Sequence, residues 1–242
     1  MEIIILFVSV IVCYLVSAMI HEMGHVVCGL FHHWKLYMLV VGPIKFYRES
    51  MDSKLKIGIE KNPILWAGVG GTLPQKESDE NVKVWGKILL AGPLTSILFG
   101  ILMLPVVIII KNVIVLMLCL MPIAMGVMCI IPMKMKTGIL YNDGTRYKRL
   151  CSDGQEGAEE RALFKLIEVT LFGGHDVIYP TELVEPLLAS ADPDFQYYGF
   201  FYTYMNAIGQ DCQEEAEQQL VNMESIRGNV SKAIIDDCKI NR

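Results

Sequence analysis

The chain has 242 residues, of which 53% are hydrophobic and only 19% charged, against about 25% charged in an average soluble domain. That excludes a disordered chain and argues against a wholly soluble enzyme. The net charge of −5 is divided unevenly: residues 1–154 carry 15 Lys and Arg against 10 Asp and Glu, and residues 155–242 carry 6 against 16. Neither part has the basic patch of a nucleic-acid binder, so no nucleic-acid partner is expected.

Residues 3–20 form an 18-residue run without a charge, enough to cross most of a bilayer core at about 1.5 Å per residue. A signal peptide would carry basic residues ahead of a shorter apolar stretch. Only Met1 and Glu2 precede this one, so a retained helix over about 3–30 is expected. Residues 34–60 are rich in β-branched, aromatic and alternating residues, broken at Gly42-Pro43. With the glycine-rich stretch 65–74 they predict a small β-region over 34–74. Residues 86–110 and 113–131 are two further apolar spans, separated by Lys111-Asn112 and therefore an antiparallel hairpin. Their internal Pro93, Pro105 and Pro122 are tolerated in membrane helices, where neighbours satisfy the freed backbone groups.

Charge bias orients the set. No Lys or Arg precedes the first span, nine lie in residues 31–87, Lys111 alone lies in the tight loop, and five lie in residues 132–150. The N-terminus is therefore expected outside, with the β-region and the C-terminal part in the cytoplasm. From residue 155 onward the spacing is helical and soluble. Paired short helices there suggest tetratricopeptide-like units, with a plain helical bundle as the alternative. The seven cysteines form no CxxC pair and point to reduced thiols. The fold class is thus an α-helical membrane protein: a three-span core with a small cytoplasmic β-region over residues 1–150, then a soluble all-α domain over 155–242.

His21-Glu22-Met23-Gly24-His25 is an HExxH motif. On a helix, positions i and i+4 share a face, so both imidazoles can hold one metal ion. Glu22 then stands beside a water that zinc acidifies towards a pKa of about 7, and can act as its general base. A third protein ligand is needed. Two Asp-Gly pairs follow the third span: Asp143 is the nearer candidate, after a linker that could fold back into the membrane, and Asp153 is the farther one. Cys129, at the end of the third span, could compete for the metal but is better read as packing.

These motifs resemble the site-2 protease family of intramembrane zinc metalloproteases. HEMGH on the first span, GPIKF in the β-region, GVGGTLP before AGPLTS on the second span, and IIP with NDGTR after the third follow that family's order over residues 1–150. The resemblance implies a site-2-protease-like core with His21, His25 and Asp143 as ligands of one Zn2+ per chain and Glu22 as the catalytic base. It departs from the family at Ser96 and Cys129, where members often carry Asn, and in the longer stretch from Pro132 to Asp143.

The implied reaction is hydrolysis of a membrane-spanning or membrane-associated peptide, in regulated intramembrane proteolysis or precursor maturation. The partners are then that substrate, the lipid bilayer, and a cytoplasmic regulatory partner recruited through residues 155–242. An unwound substrate needs backbone partners, and an edge strand over 65–72 could supply them by β-augmentation. Gly68, Gly70 and Gly71 would let it approach, and Ser96 could donate a hydrogen bond nearby. The alternative is a catalytically inactive scaffold, or a peptide-binding or immunity protein, of the same fold.

Overall fold

A computed structural model describes residues 2–133, 136–137, 140–174 and 177–238. The re-entry expected of the linker before Asp143 falls partly on residues 134, 135, 138 and 139, which lie outside the described residues. The chain divides into two compact units, Met1–Lys134 with Asn142–Tyr147, and Met135–Tyr141 with Lys148–Arg242.

The first unit is built on three helices long and apolar enough to cross a membrane: α1 (Glu2–Phe31), α2 (Glu80–Ile110) and α3 (Val113–Ile130). Helix α3 agrees with its apolar run to within a residue, and α1 continues eleven residues past the charge-free run 3–20, through the HExxH motif. Helix α2 starts six residues before the apolar run, because Glu80 to Trp85 are helical but partly polar, and hydropathy marks the run rather than the helix. The α2–α3 connection is as tight as expected. Lys111 takes a left-handed conformation (φ 51°), and the Asn112 side chain accepts the N–H of Ile114 at 2.8 Å as the N-cap of α3.

Large side chains such as Phe7, Leu102 and Ile109 point outward, and small ones meet between the helices. A Cβ added to Gly24 would lie 2.7 Å from the Ala91 carbonyl oxygen, one added to Gly100 2.6 Å from that of Cys119, and one added to Gly126 2.5 Å from that of Pro93. Lipid offers no hydrophobic drive between helices, so close approach of backbones supplies the packing contact instead.

The predicted β-region is a four-stranded antiparallel sheet, β1 (Lys35–Val41), β2 (Ile44–Tyr47), β3 (Lys56–Ile59) and β4 (Val69–Leu73), in the order β3-β2-β1-β4. Gly42, at φ 57°, turns the chain between β1 and β2. Pro63–Ala67 is a 3-10 turn, so the glycine-rich edge strand begins at Val69, four residues later than the expected start at 65. Among the described residues strand β4 pairs with β1 alone and forms one edge of the sheet.

In the second unit, β5 (Lys136–Thr137) and β6 (Leu140–Tyr141) form a two-stranded ribbon. Two residues per strand are too few for an alternation signal, so the sequence carries no sign of it. Helix α4 (Asp143–Leu150) follows, its residues up to Tyr147 belonging to the first unit. Then come α5 (Gln155–Phe172), α6 (Thr181–Leu188), α7 (Pro193–Gly209), α8 (Gln213–Ile226) and α9 (Lys232–Asp237). Leu166, Leu187, Phe195 and Ile234 are fully buried among them, and Tyr197, Tyr198 and Tyr202 join this core.

The second unit also buries charge. Arg149 reaches Glu159 at 2.5 Å and Glu160 at 3.6 Å, and its guanidinium lies over the rings of Phe195 (4.4 Å) and Tyr141 (5.1 Å). Removing one partner of a buried ion pair costs about 3–5 kcal/mol, because the other charge stays desolvated. Arg149→Met is therefore expected to speed amide exchange in α5 and α7 by a factor of about 10²–10⁴. Exchange at the wild-type rate would show that Glu159 and Glu160 find other partners.

Candidate metal centre

Helix α1 carries His21 and His25 one turn apart, with ring centroids 4.9 Å apart and nearly perpendicular planes. Asp143, the first residue of α4, closes the group from the far side of the sequence. Its Oδ2 lies 3.1 Å from His21 Nε2 and 3.5 Å from His25 Nε2, and the two Nε2 atoms are 3.2 Å apart. All three donor atoms fall within 4.8 Å of one another, and both histidines are buried. Burial works against charge on Asp143, but its hydrogen bonds with His21 and His25 prevail and hold its carboxyl below the usual carboxylate range.

The outer ring nitrogens are committed elsewhere. His25 Nδ1–H donates to the Ile88 carbonyl at 2.7 Å, and His21 Nδ1 is 3.2 Å from Ser96 Oγ. With Nδ1 engaged, each imidazole turns Nε2 inward. Two nitrogens and a carboxylate oxygen this close need positive charge among them, from imidazole protons or from a cation. Two imidazoles and one carboxylate, leaving a fourth position open, form a donor set that suits zinc. The residues present therefore fit a bound zinc ion.

Glycines make the arrangement possible. A Cβ on Gly92 would lie 2.2 Å from His25 Nε2, so the AGP segment of α2 must be bare where the ring packs. Glu22 sits within electrostatic reach of both histidines, Asp143 and the backbone N–H of Gly70. A Cβ on Gly68 or Gly70 would meet Glu22 oxygens at 2.9 and 2.8 Å. These two glycines thus admit the Glu22 carboxyl, a neighbour the sequence did not reveal. Gly71 has open space, with Met38 O the nearest atom at 3.9 Å.

Ser96, expected to meet substrate, is fully buried with its hydroxyl on His21. Asp153 is exposed in the second unit, and among the described residues neither it nor Cys129 joins the donor group. Sequence reasoning missed Ile88, which acts through a backbone carbonyl and has no side-chain signature. It also missed Asn142, whose only visible cue was its place before the Asp-Gly pair.

A membrane-length helix that buries two histidines, met at a common point by a half-buried aspartate and with a glutamate alongside, defines a membrane metallopeptidase as a class. Compared with known families, the chain matches Peptidase family M50 over residues 9–240, and it belongs to that family. M50 peptidases are zinc-dependent and cleave protein substrates. The match continues through the C-terminal helices, beyond the motifs before residue 150 that carry the site-2 protease resemblance. The comparisons with curated proteins and with solved structures give no match.

Proposed function

We propose that this M50 peptidase is an intramembrane endopeptidase that cleaves a membrane-spanning or membrane-associated peptide, with His21, His25 and Asp143 holding one zinc ion and Glu22 as the general base. One observation carries the reading: three donor atoms converge beside Glu22 on a helix long enough to cross a bilayer. Zinc bound there would lower the pKa of a water and polarise the scissile carbonyl. The Glu22 carboxylate takes the proton of the attacking water and returns it to the leaving amine nitrogen. Gly68 and Gly70 leave the room in which that carboxylate sits. His21 and His25 are oriented by Ser96 and Ile88, and Asp143 adds a negative charge that offsets the cation.

Strand β4 supports a place for substrate. It is an edge strand, and an unwound peptide can pair with such an edge by β-augmentation. Gly71, with space beside it, lets that backbone come near, and Gly68 and Gly70 keep Glu22 at the same strand. The charge bias of the loops supports an N-terminus outside and a C-terminal helical region in the cytoplasm, where its acidic surface would meet a regulatory partner.

The test is zinc content of detergent-purified protein by elemental analysis, with His25→Ala and Asp143→Ala in parallel. The wild type is expected to hold about one zinc per chain, and each variant to bind it at least about 100-fold more weakly. Wild-type affinity in Asp143→Ala would remove Asp143 from the ligand set. A folded wild type that takes up no zinc would favour the inactive-scaffold reading.

A further inference from the structure

We propose that Asn142 is the positioning residue for Asp143, acting as a clamp that ties the end of α3 to the start of α4. This rests on the reading of Asp143 as a metal ligand. Asp143 follows α3 only after the segment 132–141, so its place beside two histidines on α1 depends on contacts where the chain returns. Besides Asp143's own contacts with His21 and His25, the hydrogen bonds between the end of α3 and the start of α4 centre on Asn142.

Asn142 is 5% exposed, and its amide is used on both sides. The Nδ2 group donates to the carbonyls of Met128 at 3.0 Å and Ile131 at 2.9 Å. Both belong to the C-terminal end of α3, where carbonyls run out of intrahelical partners. Its Oδ1 accepts the Thr145 N–H at 3.1 Å, which caps the first turn of α4, and the single Thr145 hydroxyl proton lies between this Oδ1 (2.6 Å) and the Met133 carbonyl (2.9 Å). Both N–H donors and the oxygen of the amide are thus engaged. Thr145 extends the clamp, because its Oγ1 accepts the Met133 N–H at 2.9 Å. Gly144 completes it: an added Cβ would lie 1.9 Å from the Ile130 carbonyl oxygen, so α4 begins in direct contact with the end of α3. Asp143 lies between Asn142 and Gly144 and has little freedom left.

The cap and the clamp can be separated. Asn142→Ser keeps an oxygen that can cap α4 and removes both donors to α3. Zinc affinity would be measured by chelator competition on the full chain in detergent, in the wild-type and the Asp143→Ala backgrounds. In the first, Asn142→Ser is expected to weaken zinc about 10–100-fold, the usual effect of losing a residue that orients a ligand. In the second it is expected to change affinity by less than about 3-fold, because the ligand it positions is already gone. An unchanged affinity in the first background, or equal weakening in both, would overturn the proposal. The latter would mean that Asn142 supports the fold at large. Wild-type affinity in Asp143→Ala alone would instead sink the ligand reading. If Asn142→Ser does not fold, Thr145→Val removes only the hydroxyl arm. A several-fold weakening there supports the clamp, and none overturns it.

Discussion

Replacing Glu22 by glutamine is expected to abolish cleavage and leave the zinc in place. A neutral amide cannot take a proton from water, and loss of a general base costs about 10²–10⁴ in rate. The change is otherwise small. Glutamine matches glutamate in shape, and it can fill the same place against Gly68 and Gly70. The space left by Gly68 and Gly70 stays filled, so β4 has no reason to move. Wild-type and Glu22→Gln protein would be reconstituted in the same membranes, and their peptide products compared by mass spectrometry, with zinc measured on each. Products that need the wild-type protein and vanish in the variant, at equal zinc content, are the expected pattern. Equal products from both would mean that another group handles the proton. Products lost together with zinc would mean that Glu22 helps hold the metal.

The two histidines were legible because a helix turns a spacing of four residues into a shared face, and His21 and His25 do share one. The apolar runs were legible for a similar reason: length and absence of charge are one-dimensional properties, and α1 and α3 follow them closely. Asp143 was legible by residue type and order rather than by geometry, since nothing in a linear pattern brings residue 143 to residue 21. The partners of the histidines were the hard part. Ile88 contributes a carbonyl that any residue could supply, and Gly92 contributes an absence. Gly68 and Gly70 announced a close approach without saying what approaches, and the neighbour is a side chain of α1 instead of a foreign backbone. Ser96 was expected to donate a hydrogen bond near the substrate, and its burial against His21 depends on how α1 and α2 pack, which no local window contains.

That packing leads to the second large effect, at Gly92. In Gly92→Ala the new methyl would fall 2.2 Å from His25 Nε2 and 2.5 Å from Cε1, far inside van der Waals contact. Separating the helices would give up the close α1–α2 approach at the neighbouring Gly24, where an added Cβ would sit 2.7 Å from the Ala91 carbonyl oxygen and from Thr95 Oγ1. Turning the imidazole is the smaller change. Turning breaks its bond to Ile88 and swings Nε2 away from His21 and Asp143, which removes one of three protein donors. A change that merely loosens a ligand's support costs 10–100-fold in affinity, so displacing the ligand itself is expected to cost more than about 100-fold. Gly100→Ala is the control. Its added Cβ would also clash, at 2.4 Å from Ile123 Cγ1, but in the α2–α3 contact. It should lower the melting temperature and keep zinc affinity near the wild type. If both variants lost zinc alike, the effect would belong to helix packing in general. If Gly92→Ala bound zinc as the wild type does, His25 would not be a ligand in the position the fold assigns it.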